Sequence, residues 1–281
     1  MIFTLSVSTG LFIIGVAFAA EYMDSTLGMG YGTSLTPFLL LVGFEPMQVV
    51  PAILLSELIT GVLAGFTHHS FGNVDFRPKT MNIRKIILSL KNNGFIYSMK
   101  NGLPQHLKVV IVIASCSIIG TVAAVLIAVS LPKFYLKLYI GLLILAIGIV
   151  ILATINRDYK FSWKKVTTLG LIASFNKGMS GGGYGPVVTG GQLISGIEGK
   201  NAIGITSLAE GLTCMVGVSA YLFTKDAIDW QLAPYLIIGA VLSVPLSALT
   251  VRKINTRFLK IIIGIIVILL GLLTLGKVLL K

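Results

Sequence analysis

The sequence predicts an all-α polytopic membrane protein, built as two inverted-topology repeats of about five helical elements each, with broken or re-entrant helices at glycine-rich motifs. Three observations lead there. The 281 residues are 55% apolar and only 11% charged, where a soluble domain carries about a quarter charged residues, and mean hydropathy is +0.94. Val109–Leu131, Phe134–Ile155 and Phe258–Leu280 are apolar runs of the roughly 20 residues that cross a bilayer as a helix. Finally, GMGYGTSLTP (Gly28–Pro37) has a near copy in GGGYGPVVTG (Gly181–Gly190).

Taken in order, apolar runs and their breaks predict five elements in the first half: Ile2–Ala20, Tyr31–Gly43, Pro46–His68, Val109–Leu131 and Phe134–Ile155. The second half holds Val166–Met179, Pro186–Ile197, Asn201–Phe223, Leu232–Leu249 and Phe258–Leu280. The elements at 31–43, 166–179 and 186–197 are short for full spans. The first run ends in AFAA like a signal peptide, but no Lys or Arg precedes it, so it is expected to be mature protein. No polar stretch is long enough for a separate soluble domain.

The net charge of +12 does not point to nucleic acid. Most of the 22 Lys and Arg lie in three loops, at 69–108, 156–165 and 252–260, the clustering that membrane topology produces. These loops are expected in the cytoplasm. The 224–231 loop, with Asp226 and Asp229, is expected outside, and so are both termini of a multi-pass protein of the cytoplasmic membrane. Within the insertion at about 78–108, Ile83, Ile86, Ile87 and Leu90 fall at helical spacing in MNIRKIILSLK. A short helix on the inner membrane surface and an ordinary amphipathic helix packed on the protein fit equally well.

A shift of 153 residues superposes the two glycine motifs. Gly28, Gly30, Tyr31 and Gly32 meet Gly181, Gly183, Tyr184 and Gly185, and Thr36 meets Thr189. Without a gap, Gly43 meets Gly196, Glu45 meets Glu198, Glu57 meets Glu210 and Thr60 meets Thr213. Shared glycines and glutamates weigh more here than shared apolar residues. The repeats are residues 1–155 and 156–281. An odd number of crossings per half makes the second enter from the opposite side, the plan of many secondary transporters, with the substrate site at discontinuous helices near the midplane.

Gly-x-Gly-Tyr-Gly lets the backbone leave the helix and approach a ligand. The freed backbone groups must be buried in protein or line a polar cavity. The first N–H groups of the helices that follow can face an anion, with Thr33, Ser34, Thr36 and Thr189 adding hydroxyls. Glycines that merely allow close helix packing are the bland alternative, and the duplication favours a site. Ionisable residues in predicted spans are costly and usually functional. They are Glu21, Asp24, Glu57, His68, Lys177 and Glu210. Asp24 is the symmetry mate of Lys177. Either Lys177 meets an anion while Asp24 carries a proton, or the two form a structural ion pair. Glu57 and Glu210 are proton carriers or, preferably, carboxylates hydrogen-bonded to the broken backbone. His68 and His69 are expected at the interface. Tyr31 and Tyr184 gate a ligand or are core aromatics. Cys116 and Cys214 are expected as small buried hydrophobes, with no metal site and no cofactor.

With the duplicated motif, Thr36–Pro37 and the inverted halves, the chain resembles the TauE/SafE sulfite-exporter family over essentially its whole length. The resemblance implies a secondary carrier, driven by protons, for small sulfur-containing anions such as sulfite, sulfoacetate or other organosulfonates. It implies that Gly28, Gly30, Gly32, Thr36, Pro37, Gly181, Gly183, Gly185 and Thr189 line the site. Tyr31, Thr33, Ser34, Asn176, Lys177 and Tyr184 are placed with them by position. The chain departs from the family pattern in the acidic EYMDS (Glu21–Ser25) before the first motif, which would also suit a cation, and in Gly190–Gly191 where the first copy has Pro37–Phe38.

Other classes explain less. A channel would use Gly-Tyr-Gly carbonyls as a filter, but such filters need four loops about one axis. A scaffold or insertase has no use for charge inside the membrane. An enzyme is not expected, since no His-Glu-x-x-His motif is present. The expected partners are a small anion, protons and the lipid bilayer, with a homodimer left open and no nucleic acid.

Overall fold

A computed structural model describes residues 7–78, 102–153, 162–194, 197, 199–225, 228–251 and 256–280. The regular elements among them are ten helices: α1 (Val7–Leu27), α2 (Tyr31–Val42), α3 (Pro46–Ser70), α4 (Gln105–Ser130), α5 (Lys133–Ala153), α6 (Trp163–Ser180), α7 (Tyr184–Ile194), α8 (Gly199–Lys225), α9 (Ala233–Thr250) and α10 (Thr256–Leu279). Six of them, α1, α3, α4, α5, α8 and α9, are long and apolar enough to cross a membrane. Ile118, Ile119, Leu126, Leu142, Ile149, Leu242 and Leu269 lie exposed on the outer faces, while Glu21, Asp24, Glu57, Lys177 and Glu210 are buried. Apolar outside and charged inside is the distribution that suits a solvent of lipid.

Helix limits agree with the apolar pattern within a few residues, with one clear exception. The first helix continues past Ala20 to Leu27. The acids of EYMDS, which read as a polar end to the run, are turned inward and bonded there, so the helix has no reason to stop. The proposed helix in 83–91, Asp226 and Glu198 lie outside the described residues.

The helices pair in a reciprocal pattern. α1 packs chiefly on α9 and α6 chiefly on α4, while α3 packs on α8 and α5 on α10. The α3–α9 contact is matched by an α4–α8 contact. At the α3–α8 crossing, Gly61 and Gly211 bring the two backbones together: a Cβ on Gly61 would sit 2.7 Å from the Ser207 carbonyl oxygen, and one on Gly211 would sit 2.8 Å from the Val62 nitrogen. Small residues permit this approach, which is how helices associate when lipid supplies no hydrophobic drive. It carries Glu57 and Glu210, each within one turn of the crossing glycines, to the same depth.

Candidate functional site

The two breaks meet. α1 ends where Gly28 takes φ +67° and Gly30 φ +139°; α6 ends where Gly181 takes φ +70° and Gly183 φ +78°. These positions match under the 153-residue shift, and side chains are strained there. The Gly28 N–H donates to the Asp24 carbonyl at 2.6 Å and the Gly181 N–H to the Lys177 carbonyl at 2.8 Å, closing both helices in the same way. A Cβ on Gly32 would run into the Gly181 carbonyl, and one on Gly185 into the Gly28 carbonyl. Each break is therefore packed backbone to backbone on the other. Threonines lock the contact: Thr36 Oγ1 donates to the Ser180 carbonyl at 2.9 Å, Thr189 Oγ1 to the Gly28 carbonyl at 2.7 Å, and the Gly183 N–H to Thr33 Oγ1 at 3.1 Å.

Beside this contact lies a charged cluster. On α1, Glu21, Asp24 and Ser25 share a face at spacings of three and four; on α3, Glu57, Thr60, Gly61 and Ala64 do the same; on α8, Ser207 and Glu210 are one turn apart. All but Ser25 line a cavity of about 10 Å³, room for roughly one water and too little for sulfite. Lys177, in the last turn of α6, is completely buried. Its Nζ is paired with Glu57 Oε2, and it donates to Glu210 Oε1 at 2.6 Å. The second oxygens, Glu57 Oε1 and Glu210 Oε2, are buried with no hydrogen-bond partner. Glu21 accepts from Ser25 Oγ at 2.6 Å and from Thr60 Oγ1 at 3.2 Å, and Asp24 Oδ1 accepts the Tyr31 N–H at 3.2 Å. Cys214 Sγ is 3.9 Å from Glu57 Oε2.

The arrangement is buried, polar and built from the long apolar helices of a membrane bundle. The family model described as "Sulfite exporter TauE/SafE" matches residues 13–82 and 86–274. The chain belongs to the TauE/SafE family. Among curated proteins it is similar to "Probable membrane transporter protein YtnM" of Bacillus subtilis (strain 168), 24% identical over 272 residues, covering 92% of this chain and 80% of that protein. No solved structure matches. This TauE/SafE chain is thus a multi-pass membrane transporter, and its family and relative indicate transport rather than catalysis.

In the TauE/SafE chain the predicted residues come together, with different partners from those expected. Lys177 pairs with Glu57 and Glu210, and no bond between Lys177 and Asp24 is found among the described contacts. The bonded partner of Glu57 and Glu210 is that lysine, not the broken backbone. Asp24 holds the broken backbone instead, at the first amide of α2. Tyr31 and Tyr184 are fully buried; the Tyr31 hydroxyl shares a 2.8 Å hydrogen bond with Ser56, and the Tyr184 hydroxyl accepts from Thr213 Oγ1 at 3.1 Å. Ser34 Oγ donates back to the Gly30 carbonyl at 2.5 Å, and Asn176 Oδ1 accepts from the Tyr139 hydroxyl at 2.8 Å.

His68 is the clearest correction. Expected at the interface, with its side chain given no partner, it is wholly buried among protein atoms. Asn73 Nδ2, which can only donate, lies 3.0 Å from His68 Nδ1, so the ring proton sits on Nε2 and is given to the Ser25 carbonyl at 2.9 Å. His69 remains partly exposed. Cys214 is buried as expected, but Cys116 only partly. Sequence reasoning passed over Ser25 and Thr60 as site residues. Their signal was there: Ser25 is one helical turn from Glu21, and Thr60 one turn from Glu57.

Proposed function

We propose that this protein is a proton-coupled secondary transporter of small sulfur-containing anions, namely sulfite, sulfoacetate or other organosulfonates. Transport proceeds by alternating access about a midplane site formed where the two glycine breaks meet. The halves, 1–155 and 156–281, are read as inverted repeats with both termini outside. The reciprocal helix pairing and the matching positive-φ glycines support that reading.

The observation that carries the proposal is Lys177. A fully buried cation beside a helix break has a use in a membrane if it meets an anion during the cycle. The closed contact of the breaks corresponds to an occluded state. Opening one side separates Gly32 from Gly181, or Gly185 from Gly28, and frees the threonine hydroxyls and helix N-termini for the anion. The Gly28 and Ser180 carbonyls accept threonine protons, which supports a carrier over a carbonyl-lined filter. The test is flux in proteoliposomes under an imposed pH gradient, with sulfite, sulfoacetate and methanesulfonate as probes. Folded protein that moves none of them refutes the reading.

A further inference from the structure

We infer that Glu57 and Glu210 form a two-proton lock on Lys177: the anion reaches the ammonium only when both carboxylates carry protons, so each anion travels with two protons. This rests on the carrier reading above and adds a stoichiometry and a mechanism to it.

An ammonium has three N–H groups. Two of those on Lys177 are taken by Glu57 Oε2 and Glu210 Oε1, from opposite halves of the chain. With both glutamates ionised, the trio has one excess negative charge, and an arriving anion meets repulsion and two competitors already in place. One proton makes the trio neutral but leaves a carboxylate bound to Nζ. Two protons leave a positive lysine beside two neutral acids, and the anion then replaces the carboxylates. The partnerless oxygens Glu57 Oε1 and Glu210 Oε2, both buried, are where the protons go. Both glutamates line the small cavity shared by α1, α3 and α8.

A proton fits this site better than a metal cation does. Lys177 Nζ already occupies the place between the carboxylates, and the cavity of about 10 Å³ has room for no more than one water beside it. Other titratable groups also face the cluster: Glu21 and Asp24 from α1, Tyr31 from α2, Tyr184 from α7 and Cys214 from α8. Glu21 and Asp24 are bonded to Ser25, Thr60 and the Tyr31 amide and not to the lysine, so they stand outside the exchange.

The experiment is a balance-point measurement in proteoliposomes, with membrane potential clamped at zero and methanesulfonate or sulfite as probe, whichever is carried. One pH unit is worth a tenfold concentration ratio. Two protons per anion therefore hold a tenfold anion gradient static at about half a pH unit, and one proton at about one unit. The expected result is half a unit for the wild type and one unit for either Glu57→Gln or Glu210→Gln. One unit for the wild type, or no change in both variants, overturns the lock. Infrared difference spectroscopy of the purified protein during a pH titration reads the lock without any substrate. Two of the buried carboxyl protonation signals must be lost in the Glu57→Gln/Glu210→Gln double variant, and one in each single variant; signals unchanged by these substitutions overturn the lock. Absence of all anion flux alongside an intact infrared pattern overturns the carrier reading alone.

Discussion

Replacing Gly32 by alanine tests the central contact with a single methyl group. Gly32 lies in α2, where helix propensity alone favours Ala over Gly by about 1 kcal/mol. Against this, the new Cβ runs into the Gly181 carbonyl and comes within 3.0 Å of the Gly182 Cα. Both are backbone atoms and cannot swing aside as a side chain would. Forcing an extra methyl into a packed interior costs about 1–3 kcal/mol, and a backbone obstacle belongs at the top of that range. The net effect is a destabilisation of about 1–2 kcal/mol. Gly190 is the control: it lies inside α7, and a Cβ there meets nothing within 4 Å, so Gly190→Ala is expected to be neutral or stabilising by up to about 1 kcal/mol. Thermal unfolding of the purified proteins in one detergent reads both. Equal melting temperatures for Gly32→Ala and wild type, or an equal loss in Gly190→Ala, would refute the backbone-to-backbone contact of the breaks.

Three further outcomes are expected. Lys177→Ala leaves Glu57 and Glu210 buried without their cation, a loss of about 3–5 kcal/mol, whereas adding Glu57→Gln and Glu210→Gln restores the melting temperature but not anion flux; a triple variant no more stable than the single removes the trio as the cause. Thr36→Val and Thr189→Val each leave a break carbonyl without its donor and cost about 1–3 kcal/mol in the same melting assay, with the larger loss for Thr189, whose hydroxyl also bonds to Thr206 Oγ1 at 2.8 Å; no loss in either variant would deny the threonine lock. Lys277→Met removes two hydrogen bonds to the Leu40 and Leu41 carbonyls, of 3.0 and 2.8 Å, and so frees the end of α2; amide exchange should rise at the last turn of that helix, and unchanged exchange would deny the cap.

Much of the site was legible because its residues are anomalous for a membrane. Gly-x-Gly-Tyr-Gly interrupts an apolar run, and its second copy lies at a fixed spacing. Glu57, Lys177 and Glu210 stand out as charge where charge is expensive. What was not legible was partnership. The shift by 153 residues sets Asp24 opposite Lys177 and suggests that they meet, yet symmetry mates sit at equivalent places, not necessarily in contact. Lys177 meets Glu57 and Glu210 because α3 and α8 cross at Gly61 and Gly211, a crossing that no linear pattern marks. His68 escaped for a similar reason: its position near a helix end reads as interfacial, and only its packing against Ser25 and Asn73 buries it.

The sequence by itself determined the solvent of this protein, the limits of nearly all the described helices, the two breaks and the charged residues available to them, because hydropathy, glycine and charge act locally along a chain. The tertiary structure decided which charge faces which, that the breaks close on each other through Gly32 and Gly185, and that Asp24 covers the first amide of α2. Those outcomes depend on the crossing of helices remote in sequence, where a missing Cβ or a threonine hydroxyl sets the distance of approach.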